Sequence, residues 1–322
     1  MATSQKACEL KVLVTGANGL VGRAVVAALE KNEVQVVRAV RNATVLSEIA
    51  VGDLSADTSW AGVLSSKVDL VVHLAGKVGT DKKGKLESSQ HHRVNTLGTA
   101  NLARQCASNG VRRFVFVSTA KVLGEGKEGV YQATDSAAPE DAYAISKWEA
   151  EQVLWQISRE TGMEVVIIRP PLVYGPGVKA NFLQLIRAID KRLPLPLGAI
   201  RNRRSLIYLG NLVDAISLCL THPGAAGKTF MVSDNCDVST PELVRQLARA
   251  LGHLPFLLPM PVSWMRFAGG LLGKAYSVDR LVESFAVDIT SIQKELGWVP
   301  PYSMEMGLAA TAKWYRESEL SK

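Results

Sequence analysis

Tyr143 and Lys147 stand four residues apart in "DAYAISKWEAE", Asp141 to Glu151, with no proline or glycine between them. Four residues is about one helical turn, so both side chains share a face. Both groups are ordinarily protonated at neutral pH, with reference values of about 10 and 10.4. A phenol beside an ammonium can work as a proton-transfer pair, because the positive field favours the phenolate. The same spacing also suits a half-exposed helix face, and spacing by itself leaves both readings open. Upstream, "VTGANGLVG" sets Gly16, Gly19 and Gly22 between an apolar run and a helical pattern. Glycines there let the backbone approach a pyrophosphate, which the free N–H groups of a helix N-terminus attract. In that strand–turn–helix context the turn reads as a dinucleotide cradle, spaced GxxGxxG rather than GxGxxG.

The elements that must position these residues follow from the apolar pattern. "KVLVTG" (Lys11 to Gly16), "VQVVRAV" (Val34 to Val40), "VDLVVHLAG" (Val68 to Gly76), "RFVFVST" (Arg113 to Thr119) and "EVVIIRP" (Glu164 to Pro170) read as strands. Helical patterns fit between them, notably "HHRVNTLGTANLARQCASNG" and the Tyr143 helix. Buried strands alternating with helices specify an α/β fold with a parallel sheet covered on both faces. Beyond Tyr174 the pattern is irregular and richer in proline, as for a smaller substrate-binding part.

Composition narrows the class. The chain has 322 residues, 47% hydrophobic and 21% charged, enough for a sizeable core or two domains. Cys8, Cys106, Cys219 and Cys236 lack CxxC spacing and read as reduced thiols of a cytoplasmic protein. The histidines lack metal-ligand spacing, and the adjacent His91 and His92 would diverge on a helix, so no metal is expected. The N-terminus reads as a short tail before a strand, not a signal peptide. "LPFLLPMPVSWMRFAGGLLG" (Leu254 to Gly273) is the most apolar region, but three prolines and Arg266 argue against a spanning helix. A substrate-domain helix is the reading taken, with an interfacial segment as the alternative. Net charge is +7, with basic clusters at Asp81–Lys85 and Arg201–Arg204. No zinc-finger or RNA-binding signature accompanies them, so nucleic acid is not an expected partner.

"TGANGLVG", "GDL", "HLAG", "VNTLGTANL", "VSTAKVLG", "YAISK", "RPPLVYGPG", "RRSLIYLGNLVDAI" and "ELGWVPP" occur in this order over nearly the whole chain. Together they resemble an extended short-chain dehydrogenase/reductase of the nucleotide-sugar epimerase/dehydratase group, similar to UDP-hexose 4-epimerases and sugar 4-ketoreductases. The resemblance implies a seven-stranded doubly wound (Rossmann) sheet, an interleaved C-terminal substrate cap and often a homodimer. Residues 1–173, with a return segment near 204–234, would bind dinucleotide; 174–203 and 235–322 would form the cap. It implies Tyr143 as acid/base and Lys147 as the residue that lowers the phenol's pKa and bonds the nicotinamide ribose. Thr119 would hold the substrate oxygen, with Ser118 beside it in the substrate site. Gly16, Gly19, Gly22, Asp53, Leu74, Ala75, Gly76 and Asn95 would line the cofactor, Asp53 receiving the adenine amino group. Asn95 equally suits a helix cap or kink.

The second strand ends without the acid that an NAD site usually supplies to the ribose 2′-OH. Arg38 and Arg41 stand there, and an arginine forks onto a 2′-phosphate. Arg41 is the better placed, so NADP(H) is favoured, with NAD(H) the alternative. The resemblance assigns Arg204, Asn181 and Arg280 to the diphosphate of a UDP-sugar or a lipid-linked counterpart. Leu123 replaces an aromatic of the family pattern. Ala120-Lys121 stands where 4,6-dehydratase chemistry needs an Asp-Glu pair. The expected activity is therefore a 4-ketoreductase making a 6-deoxy-hexosamine for surface polysaccharide. A 4-epimerase with bound NAD is the alternative, and a non-catalytic dinucleotide sensor a third reading. The lysine-rich stretch Lys77–Lys85 has no assigned role.

Overall fold

The computed structural model describes residues 10–79, 85–126, 129–271, 273 and 275–320. Its strands are β1 (Lys11–Thr15), β2 (Gln35–Val40), β3 (Glu48–Ala50), β4 (Leu70–His73), β5 (Arg113–Val117), β6 (Val130–Tyr131), β7 (Glu164–Arg169), β8 (Leu172–Tyr174), β9 (Leu206–Tyr208), β10 (Lys228–Met231) and β11 (Ala286–Val287). The α-helices are α1 (Leu20–Lys31), α2 (Ala61–Leu64), α3 (Lys85–His91), α4 (Gly98–Ser108), α5 (Ala142–Thr161), α6 (Ala180–Asp190), α7 (Leu209–Thr221), α8 (Thr240–Leu251), α9 (Val262–Leu271), α10 (Ala275–Val282), α11 (Thr290–Leu296) and α12 (Met304–Leu320).

Seven strands form one parallel sheet in the order β10-β7-β5-β4-β1-β2-β3. Successive side chains in a strand point to opposite faces, and both faces are covered. Val12, Val14, Val166 and Ile168 pack with Val25 and Leu29 of α1 and Leu212 and Ile216 of α7. Leu13, Val71, Phe114, Phe116 and Ile167 pack on the other side with Leu102 of α4 and Leu154 and Ile157 of α5. This two-sided burial explains why the strands read as continuous apolar runs. A third core joins Phe182 and Ile186 of α6, Val244 and Leu247 of α8, and Leu308 and Ala312 of α12. Two short parallel pairs, β8–β9 and β6–β11, lie outside the main sheet.

Strand order reverses between β1 and β4, the place where open α/β sheets leave a crevice at their carboxyl ends. The loops after β1, β4 and β5 carry "GANG", "LAG" and "ST" into that region. β4 is shorter than the apolar run suggests, because Thr15 Oγ1 accepts from the backbone N–H of Leu74 and Ala75, both at 3.2 Å, and draws the chain off the ladder. The single helix expected from His91 to Gly110 is α3, a π-helical stretch from His92 to Leu97, and then α4.

Candidate active site

The glycine turn is shaped by close backbone approach. Gly16 has φ +65°, and a Cβ on it would stand 2.9 Å from Ala75 N. A Cβ on Gly22 would stand 2.1 Å from Gly16 O. Gly19 N donates to Gly16 O at 2.9 Å, and Gly19 caps α1 without a side chain. The first N–H groups of α1 thus border a turn that side chains would fill, which suits a pyrophosphate. A Cβ on Gly76 would come 2.9 Å from Asn95 Oδ1 and 3.8 Å from Lys147 Nζ. Leu74, Ala75 and Gly76 therefore bring the cradle up to the Tyr143 helix.

Asn95 lies in the π-helical stretch and is buried. Its Oδ1 accepts from Lys77 N at 2.8 Å, and its Nδ2 donates to Lys77 O at 3.0 Å and Ser146 Oγ at 2.9 Å. It clamps the loop after β4 to α5, which is more than a helix cap. His91 and His92 do diverge: the His91 ring meets Tyr143 edge-on with centroids 6.1 Å apart, while exposed His92 pairs with Glu149 at 2.6 Å.

Asp141 caps α5, its carboxylate accepting from Ala144 N at 2.7 Å, and Gly162 ends the helix in the left-handed region. Two residues after the cap, in the first turn, half-buried Tyr143 has its phenol pushed up to about 12, chiefly by burial and then by Asp141, with Lys121 acting oppositely. Buried Lys147 donates to Val117 O at 2.8 Å, and Nζ sits 4.2 Å from the Phe116 ring centroid. Burial pulls its ammonium down to about 7, against the field of Glu151. Lys147 thus spans from α5 to the end of β5, two residues before Thr119. Thr119 caps a short 3₁₀ turn, Oγ1 accepting from Lys121 N at 3.3 Å. The neighbouring Ser118 is buried, and its Oγ has no protein partner among the described residues. Buried hydroxyls are normally paired, so this one fits a ligand oxygen.

Sequence reasoning missed the polar chain beneath the cradle. Thr15 Oγ1 bonds His73 Nδ1 at 2.7 Å, and His73 Nε2 bonds Thr99 Oγ1 at 2.9 Å. Burial, aided by the Lys147 charge, lowers His73 to about 3 and keeps it neutral. A histidine inside the apolar run "VVHLAG" was the available signal. In the sequence Lys121 stands out only as a departure from an acid. It bonds Asp141 at 2.6 Å and Glu125 at 3.2 Å.

The outer residues are more dispersed. Exposed Arg41 and Asp53 pair at 3.0 Å, bringing two expected cofactor residues together just beyond β2. Arg38 instead pairs with Glu30. Part-buried Arg204 donates from Nη1 to Arg280 O at 2.7 Å and Glu283 O at 3.0 Å, and burial lowers its pKa. Arg204 therefore meets Arg280 through the latter's backbone, at the end of α10. Asn181 is exposed on the first turn of α6. Lys77 Nζ bonds Gln90 Oε1 at 2.8 Å, while residues 80–84 of the lysine-rich stretch, like Cys8, lie outside the described residues.

A sheet reversing at a glycine cradle, with a tyrosine–lysine helix against it, defines a class of dinucleotide-binding α/β enzymes. Residues 12–233 match the NAD dependent epimerase/dehydratase family, and the chain belongs to it as an extended short-chain dehydrogenase/reductase. A UDP-glucose 4-epimerase from Vibrio cholerae is 42% identical, with 99% of each chain covered. An N-acetyl-α-D-glucosaminyl-diphospho-ditrans,octacis-undecaprenol 4-epimerase from Escherichia coli O157:H7 is 29% identical over 76% of this chain and 77% of its own. Among solved structures, MoeE5 in complex with UDP-glucose and NAD has a TM-score of 0.78 at 25% identity, covering 96% of this chain and 99% of that one.

Proposed function

We propose that this chain is a 4-epimerase of UDP-linked hexoses or N-acetylhexosamines that works with bound NAD. The observation that carries the reading is the placement of Lys147: its buried ammonium lies between the Gly76 turn and Val117, with Tyr143 one helical turn away. The chain-long likeness to a UDP-glucose 4-epimerase supports the substrate class. Gly16, Gly19 and Gly22 would hold the pyrophosphate, Asp53 the adenine, and Leu74 to Gly76 with Asn95 and Lys147 the nicotinamide end. The sugar would lie between the sheet's carboxyl ends and a cap of residues 174–203 and 235–322. Arg204, Arg280 and Asn181 would receive its diphosphate.

Tyr143 removes the proton from the C4 hydroxyl and later returns one, while Ser118 and Thr119 hydrogen-bond that oxygen. NAD, when bound, supplies the acceptor for the C4 hydride and its return to the opposite sugar face. Ala120 and Lys121 offer no carboxylate pair for eliminating water, which favours epimerisation over 4,6-dehydration.

Arg41 supports a second reading, a 4-ketoreductase using NADP(H), because β2 ends without an acid. Its pairing with Asp53 already balances that charge and leaves NAD the better match. Incubating purified protein with UDP-glucose or UDP-N-acetylglucosamine and following C4 by NMR separates the two. The epimerase reading expects inversion without net consumption of dinucleotide. Stoichiometric NADPH oxidation on a 4-keto sugar, with no inversion, would overturn it.

A further inference from the structure

The segment from Leu254 to Leu271 leaves an apolar surface that neither the cofactor site nor the cap core uses. In α9 only Met265 and Gly269 are buried. Trp264, Phe267 and Leu271 form one stripe at i, i+3 and i+7, and are 71%, 69% and 74% exposed. Just before the helix, Leu254, Phe256 and Leu258 are exposed at alternate positions. Leu195 N donates to Phe256 O, and Leu258 N to Leu195 O, each at 2.8 Å, which fixes this strip beside exposed Leu193. Scattered exposed apolar residues are ordinary; seven of them gathered in the strip at 254–258, the Leu193 stretch bonded to it and the α9 helix that follows mark an interaction surface.

The charges beside this surface identify its partner. Lys191 and Arg192 immediately precede Leu193, and Arg249 lies in the last turn of α8, five residues before Leu254. All three are exposed, with no ion pair among the described residues. Arg266, on α9 itself, is neutralised by Asp279 at 3.0 Å and Glu283 at 3.5 Å. We propose that this face docks the protein on an anionic phospholipid surface, with Trp264, Phe267 and Leu271 in the headgroup–acyl boundary and Lys191, Arg192 and Arg249 on the headgroup phosphates. A helix of ten residues is roughly 15 Å long, too short to span a bilayer but suited to lie in its interface. Tryptophan and phenylalanine beside basic residues are the usual interfacial anchors. A second copy of the chain fits less well. A two-fold contact through this face would bring the exposed cations at 191, 192 and 249 of both copies into one interface, where like charges repel. The proposal is independent of the reaction catalysed, and it would place the active site where lipid-diphosphate sugars are held.

Flotation of the full chain with phosphatidylcholine vesicles, with and without phosphatidylglycerol, tests this. Wild type should float with the anionic vesicles, less so at high salt, and weakly with neutral ones. Trp264→Ser with Phe267→Ser should lower the partition coefficient roughly a hundredfold, about tenfold for each aromatic. Its thermal unfolding should be unchanged, since both side chains already face solvent. Lys191→Ser with Arg192→Ser should lose the preference for anionic lipid while retaining the weak neutral binding. Equal flotation of the aromatic variant and wild type would overturn the proposal, as would no flotation of wild type. A dimer seen by sedimentation velocity and abolished by the aromatic substitutions, without flotation, would assign the face to a second copy instead.

Discussion

Replacing Lys147 by Met tests the site through stability, whatever the sugar turns out to be. In the folded chain the Lys147 ammonium is pulled from 10.5 down to about 7, mainly by burial. Below pH 7 both folded and unfolded chains hold the proton, and folding carries the full cost of burying the charge. Between about 7 and 10.5 the unfolded chain still binds the proton and the folded chain does not, so stability rises with pH. The gap corresponds to roughly 5 kcal/mol, gained at up to about 1.4 kcal/mol per pH unit. Lys147→Met removes that titration and also deletes the bond to Val117 O. The lost bond shifts the curve by an amount independent of pH, so the slope is the readout. Urea unfolding of dinucleotide-free protein from pH 6 to 10 should show wild type gaining on the variant by several kcal/mol. Other titrating groups contribute to both proteins and cancel in the difference. Parallel curves would refute the account and mean that the Lys147 ammonium stays solvated.

Gly22→Ala puts a Cβ against Gly16 O, so dinucleotide affinity should drop at least tenfold in a fluorescence titration; unchanged affinity would show that the turn can widen. Lys121→Met removes the cation that lowers the Tyr143 phenol, so the activity–pH profile should move to higher pH; an unmoved profile would make Lys121 purely structural. Arg204→Ala should weaken UDP binding roughly ten- to a hundredfold, the worth of a charged hydrogen bond, and calorimetry showing equal affinity would remove its diphosphate role. Arg41→Ala should leave NAD affinity nearly intact and cost NADPH affinity most at low salt; equal losses for both would show that the pair with Asp53 only supports the turn.

The fold was legible because its signals are local and redundant. Strands buried on two faces must be continuously apolar, and Gly16 to Gly19 form the turn the glycines suggested, while Gly22 lies already inside α1, packed against Gly16 O. Helical spacing placed Tyr143 and Lys147 on one face of α5, but a chemical role for them came only from the resemblance carried by the whole set of motifs. What sequence did not show depends on atoms far apart in the chain. Thr15 meets His73 across 58 positions and takes two backbone N–H groups of the next loop. No local pattern encodes that. In the sequence Asn95 suits support and cap alike, because the π-helical stretch, which turns it toward Lys77 and Ser146, has no compositional mark. Only its flanking motif marks Arg204 as a phosphate ligand. Its bonds to the carbonyls of Arg280 and Glu283 arise only when α10 folds back on it.

The pair that opened the sequence argument works differently from a simple phenol-under-ammonium picture. Burial moves both groups the same way: it keeps Tyr143 protonated and strips the proton from Lys147 more easily. The two therefore favour neutral forms together. Moving one proton from phenol to amine creates both charges at once, with no net change. A nearby third charge then decides which form prevails. Asp141 opposes the phenolate, and Lys121 both offsets Asp141 at 2.6 Å and favours the phenolate directly. An acid at position 121 would add to Asp141 and hold the proton on Tyr143 more firmly. A lysine there eases its release, which the proposed abstraction from a C4 hydroxyl would require. Under the proposed function, the lysine that stands in place of a dehydratase carboxylate is thus a charge that favours the base.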